Sequence, residues 1–204
     1  MKILVKNGHV VSMVSNIKKA DILIEDDRIK RIGFIDCEAD KVIDATNKIV
    51  MPGLINAHTH VGMSLFRGAA DEEELMTWLS KSIWPVEDKM TAGDVYSASL
   101  LSAIEMIKSG TTTFNDQYFF EDETAKVADM LGLRAILSRC IIGDGEVALK
   151  RIAEAEEFYN NWHNKADGRI KVCVGLHAPY TCPPDTIRRG IELADRLGTP
   201  IHIH

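Results

Sequence analysis

The 204-residue sequence holds only four cysteines, and no two of them form a C-x-x-C pair. Cys37, Cys140, Cys173 and Cys182 fall at irregular intervals. That spacing excludes a zinc knuckle and a disulfide-framed scaffold, and leaves reduced thiols in a cytoplasmic setting as the expectation. Long apolar runs are missing too: nothing approaches the ~20 residues that span a membrane. The opening Met1-Lys2-Ile3-Leu4-Val5-Lys6 has too short an apolar core for a secretory signal. Basic clusters are absent as well. The formal net charge is −6 with Lys and Arg scattered, so neither nucleic acid nor an anionic membrane is expected as a partner. No fixed-period repeat, low-complexity tract or Gly-rich nucleotide-binding turn occurs. What is present is 46% hydrophobic and 26% charged, the composition of a globular chain long enough for one or two domains.

Two patterns divide the sequence. Residues 1–48 read as a small β unit, one part of a composite β-sandwich. Its strands are Ile3-Leu4-Val5, Val10-Val11, Ile22-Leu23-Ile24, Ile29-Lys30-Arg31-Ile32 after an Asp26-Asp27 turn, and Val42-Ile43-Asp44. From residue 49 to 204, strands and helices alternate. Leu75, Trp78, Leu79, Ser82 and Ile83 lie at helical spacing, and Thr91-x-x-Asp94 is a capping-box signal for a helix ending near Gly110. Thr111–Phe114 reads as a strand, 121–131 as a helix closed by Gly132, and Arg134–Leu137 as the next strand. An amphipathic stretch from about Val147 to Trp162 precedes the strand Ile170–Val174; a helix from about Asp185 to Leu197 precedes Ile201-His202-Ile203-His204.

About five β-α repeats of this kind fit either a doubly wound sheet or a TIM (β/α)8 barrel. The polar residues favour the barrel. His58 and His60, Asn115 and Asp116, Arg139, His177, and His202 and His204 all fall at or just past predicted strand C-termini, the rim on which a barrel assembles its site. The strongest chemical signal is Pro52-Gly53-Leu54-Ile55-Asn56-Ala57-His58-Thr59-His60. On a strand, alternate residues share a face, so His58 and His60 would stand roughly 6.6 Å apart at the backbone with both imidazoles able to meet one cation.

Val42-Ile43-Asp44-Ala45, then Val50-Met51-Pro52-Gly53-Leu54-Ile55-Asn56-Ala57-His58-Thr59-His60, resembles the opening motif of the amidohydrolase superfamily. The resemblance extends over essentially the whole sequence. Leu65-Phe66-Arg67-Gly68, Trp78-Leu79, Trp84-Pro85-Val86-Glu87 and Gly175-Leu176-His177-Ala178-Pro179-Tyr180 look like the branch that deaminates 5-methylthioadenosine and S-adenosylhomocysteine. It implies a TIM barrel truncated after about strand five. It further implies one zinc ion, with iron or nickel as weaker alternatives, held by His58, His60 and His204. It also implies Glu87 on the ribose hydroxyls, Arg139 and His177 on the nucleoside, Arg151 as a second substrate arginine, and Trp78 beside the thioether or homocysteine end. The metal would acidify a water that attacks C6 of the adenine ring, giving an inosine derivative and ammonia. The family's catalytic Glu and Asp are expected beyond residue 204, so the sequence as given is expected to be inactive alone.

Plainer readings stand beside each of these. Either His202 or His204 fits the third ligand position, and family spacing favours His204. His177 fits a structural histidine before the Pro179 turn, Glu87 a solvated helix end, Arg139 the partner of a carboxylate such as Asp116, Arg151 a charged helix face, and Trp78 a core position. The rival functions are a guanine deaminase or chlorohydrolase-like amidohydrolase, or an inactive fragment that only binds metal. A small-molecule nucleoside is the expected partner, and homo-oligomerisation is left open.

Overall fold

The computed structural model describes residues 1–13 and 15–204, except for the side chains of residues 15–17. The chain divides into two compact units, Met1–Gly53 and Leu54–His204.

In the first unit β1 (Lys2–Ser12), β2 (Ser15–Glu25) and β3 (Arg28–Gly33) are antiparallel neighbours, while β4 (Lys41–Asp44) and β5 (Ile49–Val50) both pair parallel to β1. These five strands form one sheet. The runs Ile3-Leu4-Val5 and Val10-Val11 prove to be one strand with a register shift between Val5 and Gly8, where Asn7 takes φ 63°. The buried Asp21 carboxylate holds that irregularity by accepting from the backbone N–H of Asn7 at 2.8 Å and of Ile35 at 3.0 Å. Those two donations hold its pKa below the usual carboxylate value. A Cβ on Gly8 would lie 2.6 Å from Val50 Cγ2, so glycine there is what lets β5 approach β1. Ile49 and Val50, read from the sequence as leading straight into the barrel, are drawn onto β1 by this contact.

The second unit is a parallel sheet with helical crossovers. Its strands are β6 (Leu54–Thr59), β7 (Thr111–Tyr118), β8 (Arg134–Ile141), β9 (Ile170–Val172), β10 (Val174–Leu176) and β11 (Ile201–His202), in the order β11-β10-β8-β7-β6, with β9 also on β8. This fits the amidohydrolase-type barrel expected from the sequence as far as its fifth strand, β9 and β10 being two parts of one strand interrupted at Cys173.

A 3-10 turn, Val61–Phe66, follows β6, and an irregular helix comes next: α1 (Leu75–Thr77), a π-helical turn (Trp78–Ile83) and α2 (Trp84–Glu87). The longer helices are α3 (Ala92–Lys108), α4 (Glu121–Leu131), α5 (Gly145–Trp162) and α6 (Pro184–Leu197). Thr91 and Asp94 form the anticipated reciprocal capping box, and Gly132 and Gly198 close α4 and α6 in the left-handed conformation.

The main core packs Phe114, Leu137, Phe158 and Ile170 together, all at most 2% exposed, and a second cluster gathers Ile141, Val174, Leu176 and Leu193. β7 and β8 run four residues further than their apolar runs suggested, to Tyr118 and Ile141. The polar residues there do not end the strands. Asp116, Gln117 and Ser138 stay in the ladder with buried side chains. Among the described residues no helix is long and apolar enough to cross a membrane.

A close approach between α6 and β10 makes a test of sign. An alanine inside a helix normally stabilises over glycine by about 1 kcal/mol. At Gly190 a Cβ would stand 2.6 Å from Leu176 Cδ2 and 3.0 Å from its Cγ, and Leu176 is 1% exposed. Gly190→Ala is therefore expected to destabilise the fold by about 1–3 kcal/mol, read as a lower urea midpoint at unchanged slope.

Candidate active site

The rigid β6 strand delivers two imidazoles to one side. His58 Nε2 and His60 Nε2 lie 3.3 Å apart. His204, immediately after β11, brings a third ring to within 5.1 Å of His58 and 5.2 Å of His60, centroid to centroid, and one nitrogen from each of the three falls within 4.8 Å of the others. His60 Nδ1 sits 2.6 Å from the backbone carbonyl of Gln117, an atom that only accepts, so the proton resides on Nδ1 and the Nε2 lone pair is left for a cation. Two nitrogens at ~2.0–2.1 Å from a tetrahedral zinc stand roughly 3.3 Å from each other. The three imidazoles therefore fit a zinc ion by donor type, and His58 and His60 do so by spacing as well.

The other two rim histidines are arranged differently. His202 Nδ1 lies 3.0 Å from Ser138 Oγ, and the Ser138 hydroxyl donates to the Asp116 carbonyl at 3.0 Å, so the imidazole is the donor in that contact. His177 Nδ1 lies 2.7 Å from Thr181 Oγ1, itself a donor to the Ala178 carbonyl, and the ring packs 4.9 Å from that of His204. Burial, reinforced by the neighbouring imidazoles, pushes both down to about 4, so both rings are neutral at pH 7. Of the two candidates for third ligand, the structure groups His204 with His58 and His60.

A buried carboxylate fixes the exit of β6. Asp116, 0% exposed, accepts from the Val61 N–H at 2.9 Å and contacts Thr59 Oγ1 at 2.5 Å through the same oxygen. Asn115 adds a donation from Nδ2 to the Ala57 carbonyl at 3.1 Å. Glu121, also 0% exposed, neighbours Asp116. Burial and then the neighbouring Asp116 carboxylate hold Glu121 well above the ordinary carboxylate range; burial raises Asp116 as well, with its Thr59 and Val61 donors opposing that shift.

Beside the cluster lies a cavity of about 780 Å3 whose walls include Trp84, Glu87, Tyr118, Arg139, Arg151 and Glu154. Three of the five anticipated substrate residues, Glu87, Arg139 and Arg151, thus share one space, and His177 is not part of its wall. Trp78 is half-buried on the π-helical turn and is not part of that wall. Glu87 accepts a 2.5 Å hydrogen bond from the Tyr118 hydroxyl, and burial raises its pKa. Arg139 is paired through Nε at 3.1 Å and Nη2 at 2.8 Å with one oxygen of Glu154. Asp116, the carboxylate suggested from the sequence for Arg139, is engaged with β6 instead. Arg151 lies over the Phe119 ring at 4.7 Å, a cation–π contact. Tyr118, Glu154 and the Gln117 carbonyl escaped sequence reasoning. Tyr118 alone carried a usable signal, since it stands two residues beyond Asp116 on the same strand face.

Comparison with known proteins identifies the family. The sequence profile of the amidohydrolase family matches residues 49–204. The chain belongs to the amidohydrolase family. It is 54% identical over 211 residues to the 5-methylthioadenosine/S-adenosylhomocysteine deaminase of Thermoanaerobacter pseudethanolicus, covering 100% of this chain and 49% of that protein. It is 47% identical over 208 residues to the 5'-deoxyadenosine deaminase of Methanosarcina mazei, covering 99% and 48% respectively. Among solved structures, an adenosine deaminase from Xanthomonas campestris with bound zinc superposes with TM-score 0.90 at 31% identity, over 99% of this chain and 48% of that one. The amidohydrolase chain thus spans about half the length of the curated relatives it matches.

The geometry separates His204 from His202 experimentally. His60→Ala and His204→Ala are each expected to weaken zinc binding by about a hundredfold or more, measured by competition with a chromophoric chelator. His202→Ala loses only the Ser138 contact and is expected to change it by less than about tenfold.

Proposed function

We propose that this amidohydrolase is a zinc-dependent hydrolytic deaminase of adenosine-type nucleosides of the 5-methylthioadenosine and S-adenosylhomocysteine class. The observation that carries the reading is the junction of two features: a three-imidazole cluster, and a cavity with a carboxylate on its wall. Tyr118 belongs to both, its ring 6.4 Å from that of His60 and its hydroxyl on Glu87. The names of the relatives support the same class. Because the chain spans about half their length, the activity of the whole protein is part of the proposal.

His58, His60 and His204 would hold the metal. A bound zinc ion supplies a Lewis acid that acidifies water near neutral pH. Water adds at C6 of the adenine ring, the bond from C6 to the exocyclic nitrogen breaks, and ammonia leaves the inosine derivative. Glu87 would accept hydrogen bonds from the ribose hydroxyls, and neutral His177 would meet the nucleoside beside His204. That remote contact orients C6 before the chemistry begins. Arg139 is already neutralised by Glu154, so an anionic tail has to compete for it, whereas Arg151 lies over the Phe119 ring within the field of Glu87. A cavity so arranged suits an uncharged methylthio or 5'-deoxy end and also admits a carboxylate near Arg151. The four cysteines are free, as a cytoplasmic setting, also part of the proposal, would have them.

Glu87 separates this reading from a free-base deaminase, because a free base has no ribose to hold. In the zinc-loaded protein at the length of its relatives, with ammonia release measured, Glu87→Gln should raise KM for 5-methylthioadenosine about ten- to a hundredfold, the loss of one hydrogen bond to a charged group. An unchanged KM, or turnover of guanine in preference to the nucleosides, would overturn it.

A further inference from the structure

Glu87 stands in an awkward place for a residue that must bind with precision. It ends α2, a four-residue helix that follows a π-helical turn, and it has three side-chain torsions to fix. What fixes it comes from the sheet. We propose that Tyr118 is a positioning residue: its hydroxyl occupies Oε1 of Glu87, reserves Oε2 for the nucleoside's ribose hydroxyls, and so sets the preference for nucleosides that carry the diol. The inference rests on the deaminase reading above and deepens it.

Three observations support it. Tyr118 is 4% exposed, and its hydroxyl donates to Glu87 Oε1 at 2.5 Å, with Met90 Sδ 3.7 Å away as the only other contact of that hydroxyl among the described residues. The ring is closely packed as well. A Cβ on Gly62 would stand 2.5 Å from Tyr118 Cδ1 and 2.6 Å from Cε1, so the ring lies flush on the backbone of the turn that directly follows His60. At the end of β7, Tyr118 is in register with Arg139 on β8, which places the phenol on the same rim as the rest of the cavity wall. The path from sheet to carboxylate is therefore short: strand, ring, one hydrogen bond, Oε1.

The chemistry of the pair suits a fixed donor. Burial, and the Glu87 carboxylate beside it, push the phenol far above its ordinary value of about 10, so it never gives up its proton at working pH. Burial alone would favour a protonated Glu87, which would lose half its accepting capacity; the donated hydrogen bond opposes that change. Among the described residues Oε2 has no hydrogen-bond partner, and Glu87 lines the cavity.

Tyr118→Phe tests this, because it keeps the ring in the Gly62 slot and removes one oxygen. The substrates are 5-methylthioadenosine and its 2',3'-dideoxy analogue, and the protein is zinc-loaded and of the length of its relatives, with metal content checked. Tyr118→Phe is expected to raise KM for 5-methylthioadenosine about tenfold, with kcat within about twofold and KM for the dideoxy analogue unchanged. In a Glu87→Gln background the same change should add nothing, since the two residues act as one unit. If Glu87→Gln raises KM and Tyr118→Phe does not, the positioning role is wrong while the deaminase reading stands. If neither variant moves KM, the ribose assignment of Glu87 falls and this inference with it. Equal losses on both substrates, or a matching fall in kcat, would mark Tyr118 as a general structural residue and also overturn the proposal.

Discussion

The site depends first on where β6 ends. Two histidines on alternate positions of a strand share a face by geometry alone, but they share a cation only if the chain stops and turns at a fixed place beyond them. The buried Asp116 carboxylate sets that place, contacting Thr59 on one side of His60 and accepting from the Val61 N–H on the other. His60 itself is then oriented by the next backbone carbonyl, that of Gln117, and the residue after that, Tyr118, reaches Glu87. Three successive residues of β7 thus serve three purposes through three kinds of atom: a carboxylate, a backbone oxygen and a phenol. Parallel pairing of Thr59 with Asp116 brings all of them to the same rim.

Placing a carboxylate at that point is costly, and its surroundings show how the cost is limited. A lone buried charge without partners is strongly disfavoured, whereas one that accepts from backbone and hydroxyl donors is tolerable. Asp116 has such donors. Glu121, pressed against it, has burial and a like charge both opposing its ionisation. Two fully ionised carboxylates are therefore disfavoured at this point, close to imidazoles that are suited to hold a cation. A hydrophobic pair would pack at lower cost but would leave the Val61 N–H and the end of β6 unheld.

What the sequence revealed follows from which physical rules act locally. The Thr91–Asp94 capping box, the Gly132 stop and the alternation from Thr111 to Leu197 depend on neighbours a few residues apart, and they were readable. His58 and His60 were readable because a strand has a period of two. The last four residues of β7 and β8 were not, because Asn115, Asp116 and Gln117 have the polarity of a loop and only pairing with the neighbouring strands keeps them in the ladder. The π-helical turn leaves no mark in a pattern of apolar spacing. Arg139 had Asp116 as a plausible partner by proximity in sequence order, yet Glu154, on the helix that follows β8, is the residue that reaches it. The β5 strand was misplaced for a similar reason: two apolar residues before a barrel strand read as part of it until Gly8 opens room for them beside β1.

The two halves of the site are mounted on supports of unequal stiffness, and this explains their different wiring. The clustered imidazoles sit at or just past strand ends, where the ladder fixes the backbone and the Gln117 carbonyl orients the ring of His60. Glu87 sits on a four-residue helix reached through an irregular turn, outside the parallel sheet. Short helices contribute little stability of their own, because nucleation costs more than a few hydrogen bonds return. A carboxylate on such an element needs an external reference if its oxygens are to hold to within a few tenths of an ångström. The sheet supplies that reference through a side chain that is itself immobilised by backbone contact at Gly62. Mounting a cavity-wall carboxylate on the softer element while tethering one of its oxygens to the stiffer one leaves the rest of that wall free to move without disturbing the histidine cluster.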